Sequence, residues 1–463
     1  MSLTARLRAL EPTDVGVPGP TSWDMARAFR SVRADPLAFL VETRERYGDL
    51  VSFPLPGPPA LLVNDPADIQ HVLQTSARGW GKQTAQYTAL ARVTGPGLLA
   101  SSEPSWIEHR RLAAPAFHHR RLEWVGEQIA AAADSAIASW AGRRTTIAGA
   151  VVDVAPLTLR VALDAVGRAL FSTDLSGQAR QLLDASSTAA QLVVRAGRSI
   201  LPTPERLPTP LNLRLRSTRR RLDAASSELI AQRRARGESS PAGAHGDDLL
   251  GLLLDSGLGD DEIRHELVTM IIAGHETVAA ALAWTLMLLA EHQPAQERLR
   301  AEVAAHSGPV PLLDQRARLP WTRAVVDEAL RLFPPAWAVS RRSSQPDTIG
   351  GRAVPAGTLV VVSPWLLHRR GDVWPDPLTF RPERFLEEGA GRSGYLPFGQ
   401  GPRLCIGREF ALGEMVVVLS RLLGTYRVGL PDGWSRPTPQ AQVAVHPRGG
   451  MPLLVTPLAG GSR

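Results

Sequence analysis

With one cysteine, Cys405, in 463 residues, the chain has no partner for an internal disulfide and too few thiolates for a four-sulfur metal site. The N-terminal segment MSLTARLRALEPTDVG is broken by charges and lacks the continuous apolar run of a secretory signal, so a cytoplasmic location is expected. Zinc-finger spacing, RNA-binding signatures and internal repeats are also missing. The formal charge of +7 therefore has no nucleic-acid motif to serve, and the arginine runs at 214–221 and 233–236 read as solvated helix faces. Composition argues against disorder, since 44% hydrophobic and 21% charged residues suffice for a large core. Only 268–289 is apolar enough to raise a membrane span of about 20 residues. His275, Glu276 and Thr277 lie near its middle, where an acid costs roughly 2.5–3.5 kcal/mol on insertion scales, so a helix buried in a globular core is expected instead.

Taken in order, 36–46 reads as an amphipathic helix ending before Gly48. Short strands follow at 50–53 and 60–63, the second running into a helix cap at Asn64-Asp65-Pro66. The stretch 80–99 mixes polar, aromatic and glycine residues without a clean period and reads as a long, partly helical loop. Helices are expected over 106–117, 122–140, 154–171, 178–196 and 211–236. The proline-rich 201–210 is a turn and 237–248 a solvated connector. Further on come a long helix over 260–291, a helix carrying Glu328 and Arg331, and strands near 337–343 and 358–362. The fold class is mainly α with small β-sheets (α+β). One domain is expected over 1–463, with a β-rich N-terminal part at about 48–65 and no fused reductase.

Three local patterns carry chemistry. Trp106 and Arg110 sit one helical turn apart, either as an exposed aromatic–cation pair or as a cationic face for a carboxylate-bearing ligand. On the long helix, Met270, Ala273, Gly274, Thr277, Ala281 and Trp284 share a face. Ala273-Gly274 removes volume there beside an acid and an alcohol, Glu276 and Thr277. That notch suits a ligand, or Thr277 bonds back to the carbonyl of Ala273 and Glu276 is a tolerated charge. Finally, Phe398, Gly399, Gly401 and Gly407 surround Cys405 in a loop with little side-chain bulk. A helical pattern starting at Cys405 would place the sulfur at a helix N-terminus, where a thiolate is favoured, although a lone cysteine can equally be a packing residue. The glycines of GQGPRLCIG are no dinucleotide fingerprint, because no βαβ unit frames them.

Together these residues resemble the cytochrome P450 family of haem-thiolate monooxygenases. The family's cysteine loop is complete as Phe398, Gly401, Arg403, Cys405 and Gly407. Glu328 and Arg331 supply its helix signature, and 380–385, FRPERF, the turn that follows. Ala273-Gly274-His275-Glu276-Thr277 matches the oxygen-activation segment, and Trp106 with Arg110 the helix that contacts haem propionates. The resemblance implies the P450 fold, with haem b (iron protoporphyrin IX) between the long helix and the cysteine loop. Cys405 would be the iron ligand, Arg110, Arg341, Arg403 and Trp106 would hold the propionates, and Phe398, Gly399 and Gly407 would shape the loop. It also implies room for dioxygen at Gly274 and Ala273, proton delivery by Thr277 and Glu276, and structural roles for Glu328, Arg331 and Arg384.

Within the family, 82–99 and the segments around Glu276, Glu328 and Cys405 are similar to the soluble bacterial carotene hydroxylases. This implies a terpenoid or carotenoid such as β-carotene, with Gln86, Tyr87, Leu90, Met270, Trp337 and Val339 lining the pocket. A lone cysteine leaves no place for an iron–sulfur cluster, so electrons are expected from a separate protein. The resemblance implies a ferredoxin with its NAD(P)H-dependent reductase, and an acidic ferredoxin would suit the basic residues His118, His119, Arg120, Arg121 and Arg408. Open alternatives are a peroxygenase, a fatty-acid hydroxylase, an oxidative coupling enzyme and a haem-binding sensor without turnover.

Overall fold

The structure is a computed structural model and describes residues 13–141, 149–173, 179–197, 204–238, 245–306, 308–387 and 394–458. Its contacts form two compact units. Met1–Thr88, Ala336–Thr379 and Gly391–Cys405 make the first, and Ala89–Pro335, Phe380–Ala390 and Ile406–Arg463 the second.

The first unit is built on a five-stranded sheet. Leu50–Phe53 pairs antiparallel with Ala60–Val63, which runs parallel to Leu359–Val362; Val339–Ser343 and Trp80–Gly81 complete it. The β-rich part is thus wider than 48–65, because strands from the C-terminal half add to the N-terminal pair. Ala60–Val63 is buried along its whole length and reads as a continuous apolar run, as a central strand covered on both faces does. Leu61, Val63, Val360 and Val362 pack with Ile69, Val72, Trp80 and Leu396 into one apolar cluster. Asp65 caps the next helix by accepting from the backbone N–H groups of Ala67 and Asp68, with Pro66 at its first position.

The second unit is organised on the helix Asp260–Glu291. Asp260, Asp261 and Glu262 crowd its first turn, where carboxylates complement the helix dipole, and Glu262 accepts from the backbone N–H of Gly259 at 3.1 Å. The helix has the length and apolarity to cross a bilayer, but 83% of its most apolar window is buried inside the protein. Trp284 stacks on Phe333 at 4.2 Å between centroids, and its indole N–H donates to the carbonyl of Val445 at 2.8 Å. Around it pack Ala155–Phe171, Ala179–Gly197, Pro210–Glu238, Pro320–Leu332 and Arg408–Thr425.

Two expectations fail here. Arg233 is buried, not on a solvated face, with both terminal nitrogens on the Asp248 carboxylate at 2.9 and 2.7 Å. Asp248, at the end of the connector, is buried with it and caps the helix Leu249–Leu254. The 80–99 stretch is partly helical, as expected, with Ala85–Thr94 its helix.

Glu414, on Arg408–Thr425, is fully buried, and neither carboxylate oxygen has a hydrogen-bond partner among the described residues. Burial holds its carboxyl well above the usual carboxylate range. A raised acid costs nothing below its unfolded value of about 4.5 and destabilises progressively as pH climbs from there toward the folded value. Glu414→Gln, neutral at every pH, is expected to match the wild type in acid and to melt above it by a margin that widens as pH rises. Thermal melts across the pH range measure that margin.

Candidate active site

In the first unit the cysteine loop is fixed by its own backbone. The N–H of Cys405 donates to the carbonyl of Phe398 at 3.0 Å, and that of Leu404 to Gly401 at 3.0 Å. Gly401 has φ +71°, and a Cβ there would overlap the carbonyl of Leu73, so only glycine fits. Gly399, at φ +73°, has nothing within 4 Å of where a Cβ would stand. The base of the loop is held by His368, a residue with no motif to announce it. It is buried, lies 5.5 Å from the Tyr395 ring, and its Nε2 accepts from the backbone N–H of Leu396 at 2.8 Å.

The periodicity predicts a helix opening at Cys405, and the structure has none there. Helical geometry begins at Arg408 with Gly407 as its cap, because the glycine-rich turn carries the chain through the cysteine before hydrogen bonding becomes helical. The thiol is exposed and Arg403 half-buried.

Arg341 lies buried on Val339–Ser343 and donates through Nη1 to the Tyr87 hydroxyl at 3.2 Å and to the carbonyl of Ser340 at 2.9 Å. The Lys82 ammonium stands 4.7 Å from the Tyr87 ring centroid. Tyr87 therefore holds cations in place. Gln86 is exposed and tied to the same strand, donating to the carbonyl of Ala338 at 3.2 Å and accepting from the Ser340 hydroxyl at 2.7 Å. Val339 packs against the apolar cluster of the sheet, and Trp337 is half-buried with its carbonyl accepting from Ser363 at 2.8 Å.

In the second unit, Trp106 is buried and Arg110 half-buried on Ser105–Ala113, which excludes a fully exposed pair. Between them His109 meets Glu266 of the long helix at 2.7 Å, and the other Glu266 oxygen accepts from the backbone N–H of Leu98 at 3.2 Å. The Glu266 hydrogen bond raises the His109 imidazole against the opposing effect of burial. No sequence pattern announces this pair, since its members are 157 positions apart. Leu90 and Met270 are buried.

From Glu266 to Ala290 every residue of the long helix is buried except Ala273, Gly274 and Thr277. One short patch of an otherwise enclosed helix is thus accessible, at the segment that carries the acid and the alcohol. Thr277 Oγ1 donates to the carbonyl of Ala273 at 2.7 Å, the back-bond the sequence allows, and its lone pairs remain able to accept. Glu276 is no exposed charge. One oxygen meets His446 Nε2 at 2.8 Å, and the other accepts from the Ser187 hydroxyl at 3.5 Å. Burial pushes the Glu276 carboxyl up, but the His446 hydrogen bond and the nearby imidazole charges outweigh it and hold the group below the usual range.

At Gly274 a Cβ would stand 2.7 Å from Cγ2 of Val166, so the glycine lets Ala155–Phe171 approach the long helix. Replacing a helical glycine with alanine ordinarily stabilises by about 1 kcal/mol. Here Gly274→Ala is expected to destabilise by roughly 1–3 kcal/mol, because Val166 is β-branched, buried and unable to swing aside. Urea unfolding measures the cost, and Val166→Ala in the same chain should recover most of it.

Glu328 and Arg331 are both fully buried on Pro320–Leu332, joined at 2.7 and 2.8 Å. Arg384 reaches the same carboxylate at 3.1 Å from the turn Pro382–Phe385. The turn at 380–385 thus completes the network.

An accessible lone thiol on a glycine loop, together with a buried guanidinium at Arg341 that meets a phenol and a carbonyl, suits a haem-thiolate oxidoreductase better than a packing cysteine. The cytochrome P450 family model matches residues 17–454. Cyclooctatin synthase of Streptomyces melanosporofaciens is 33% identical over 429 residues, covering 89% of this chain and 90% of that protein. Pentalenene oxygenase of Streptomyces avermitilis is 32% identical over 440 residues, covering 92% and 93%. The crystal structure of CYP175A1 from Thermus thermophilus superposes with a TM-score of 0.76 at 32% identity, over 95% of this chain and all of that one. The chain belongs to the cytochrome P450 family and is a P450 monooxygenase. Enzymes of this family carry a haem-thiolate iron, need redox partners and bind apolar substrates.

Proposed function

We propose that this monooxygenase hydroxylates an apolar terpenoid. The observation that carries the reading is the identity, above 30% over nine-tenths of the chain, to pentalenene oxygenase and cyclooctatin synthase, both enzymes of terpenoid oxidation. The similarity of 82–99 to carotene hydroxylases makes β-carotene one candidate within that class.

The cofactor in this reading is haem b, with Cys405 as the iron ligand and Arg341, Arg403, Arg110 and Trp106 as donors to the propionates. The donor set fits: one soft thiolate for iron, and planar guanidinium forks for two carboxylates. Phe398, Gly399 and Gly407 shape the loop, and the open side of Gly399 leaves a flat ligand unobstructed there. When bound, the haem supplies dioxygen activation and insertion of one oxygen atom into a C–H bond. The protein's own part is proton handling and positioning. Glu276 holds a proton-accepting carboxylate inside the core, and Thr277 offers its hydroxyl on the accessible patch beside Ala273. Glu328, Arg331 and Arg384 hold the fold around them.

Electrons come from a separate ferredoxin and its NAD(P)H-dependent reductase, and the enzyme works in the cytoplasm. His118, His119 and Arg120 are exposed and offer an acidic partner a cationic surface. Arg121 does not belong with them, since it is half-buried and faces Asp247 at 2.5 Å, and Arg408 lies 3.6 Å from Glu409.

Product analysis tests the substrate, using purified enzyme, ferredoxin and reductase with β-carotene, smaller cyclic terpenes and fatty acids. A hydroxylated terpenoid is expected. Turnover of fatty acids alone would overturn the substrate class, and smaller terpenes without β-carotene would remove the carotenoid.

A further inference from the structure

His446 lies on the hairpin formed by Pro439–Ala441 and Val445–Pro447, opposite Gln440. The backbone of its neighbour is anchored twice: the carbonyl of Val445 accepts from the Trp284 indole at 2.8 Å, and the N–H of Val445 donates to the carbonyl of Pro335 at 3.2 Å. The hairpin is thus fixed to the long helix two turns beyond Glu276, and the ring at 446 meets a buried carboxylate 170 positions away at 2.8 Å.

Two imidazoles face that carboxylate, and they differ in what they can do. His275, 3.8 Å from Glu276 Oε1, is fully buried, and both its ring nitrogens are engaged, Nδ1 with the carbonyl of Ile271 and Nε2 with Ser186 at 3.1 Å. Burial also lowers its affinity for a proton. The His446 side chain keeps 18% of its surface exposed, against 3% for that of Glu276. Among the described residues, the helix Ala179–Gly197 adds only the hydroxyls of Ser186 and Ser187. Among the described residues, one titratable group, His446, therefore touches both the buried acid and the solvent.

We propose that His446 is the proton donor through which Glu276 is recharged from solvent during turnover, which rests on the role given to Glu276 above. In the step, the His446 Nε2–H bond breaks and an Oε2–H bond forms on Glu276, leaving a neutral imidazole and a neutral carboxylic acid. The imidazole then takes a proton from solvent, and no electron moves. A histidine serves here because it alone among side chains ordinarily changes charge near neutral pH, whereas lysine or arginine would hold the carboxylate ionised.

His446→Gln keeps a hydrogen-bond donor toward Glu276 but cannot carry a proton. Infrared titration of the full chain, with the Glu276 carboxylic acid band assigned by difference against Glu276→Gln, reads the contact without turnover. In His446→Gln the band is expected to emerge at higher pH than in the wild type. With redox partners present, coupling of electron uptake to product should fall roughly tenfold in His446→Gln, with peroxide released in place of product and a larger solvent isotope effect. A wild-type band position, or wild-type coupling and isotope effect in His446→Gln while Glu276→Gln uncouples, overturns the relay alone. Normal coupling in Glu276→Gln overturns the role of the acid itself.

Discussion

Replacing Glu328 with alanine is expected to cost about 3–5 kcal/mol of folding stability, a large share of the roughly 5–15 kcal/mol a folded domain ordinarily has. Its carboxylate is wholly buried and, among the described residues, meets these donors. Arg331 Nε and Nη2 bind its two oxygens at 2.7 and 2.8 Å, Arg384 Nε reaches Oε1 at 3.1 Å, and the backbone N–H of Arg381 reaches the same oxygen at 2.9 Å. Deleting it would strand two guanidinium groups, at 0% and 3% side-chain exposure, without the charge that offsets their desolvation. Burial already lowers the Arg384 pKa against the pull of Glu328. Glu328→Gln keeps the acceptor but loses the charge, so it should fall between alanine and wild type. Urea midpoints of the three proteins, at unchanged slope, measure the order; a cost below about 1 kcal/mol for alanine would mean the arginines find other partners.

That this network was legible in the sequence, while the one around Glu276 was not, has a physical reason. Glu328 and Arg331 are neighbours on one helical turn, and their apolar flanks, Ala329, Leu330 and Leu332, show that the turn is buried. Glu276 takes its partner from a hairpin 170 residues away, and no local periodicity carries that information. The same division runs through the fold. Strands at 50–53 and 60–63 and the helix 260–291 match the observed elements to the residue, because turn chemistry and apolar runs bound them locally.

The structure corrects two readings. Arg233 reads as solvated and is bound by Asp248, so its environment is supplied by another segment. Cys405 reads as the start of a helix and precedes it, because its own glycine-rich turn delays helical hydrogen bonding. The signal for Arg233 was present in hindsight, as Asp248 stands before the apolar run Leu249 to Leu254, where a capping acid is expected to be partly enclosed.

The second large effect concerns Cys405, the only residue in the chain able to give iron a thiolate. Cys405→Ser replaces a soft sulfur with a hydroxyl that stays protonated at neutral pH. Hydroxylation should be lost even where the protein remains folded, because Cys405 would be the residue that holds the haem iron and supplies the thiolate its oxygen chemistry requires. Serine is nearly isosteric, so the melting temperature of the haem-free chain should change little.

The most direct test of the account is the carbon monoxide difference spectrum of the reduced, haem-loaded protein, recorded for wild type and Cys405→Ser side by side. The strongly red-shifted Soret band of a thiolate-ligated haem is expected in the wild type and should be absent from the variant. The same band in both proteins, or in neither, would contradict Cys405 as the iron ligand.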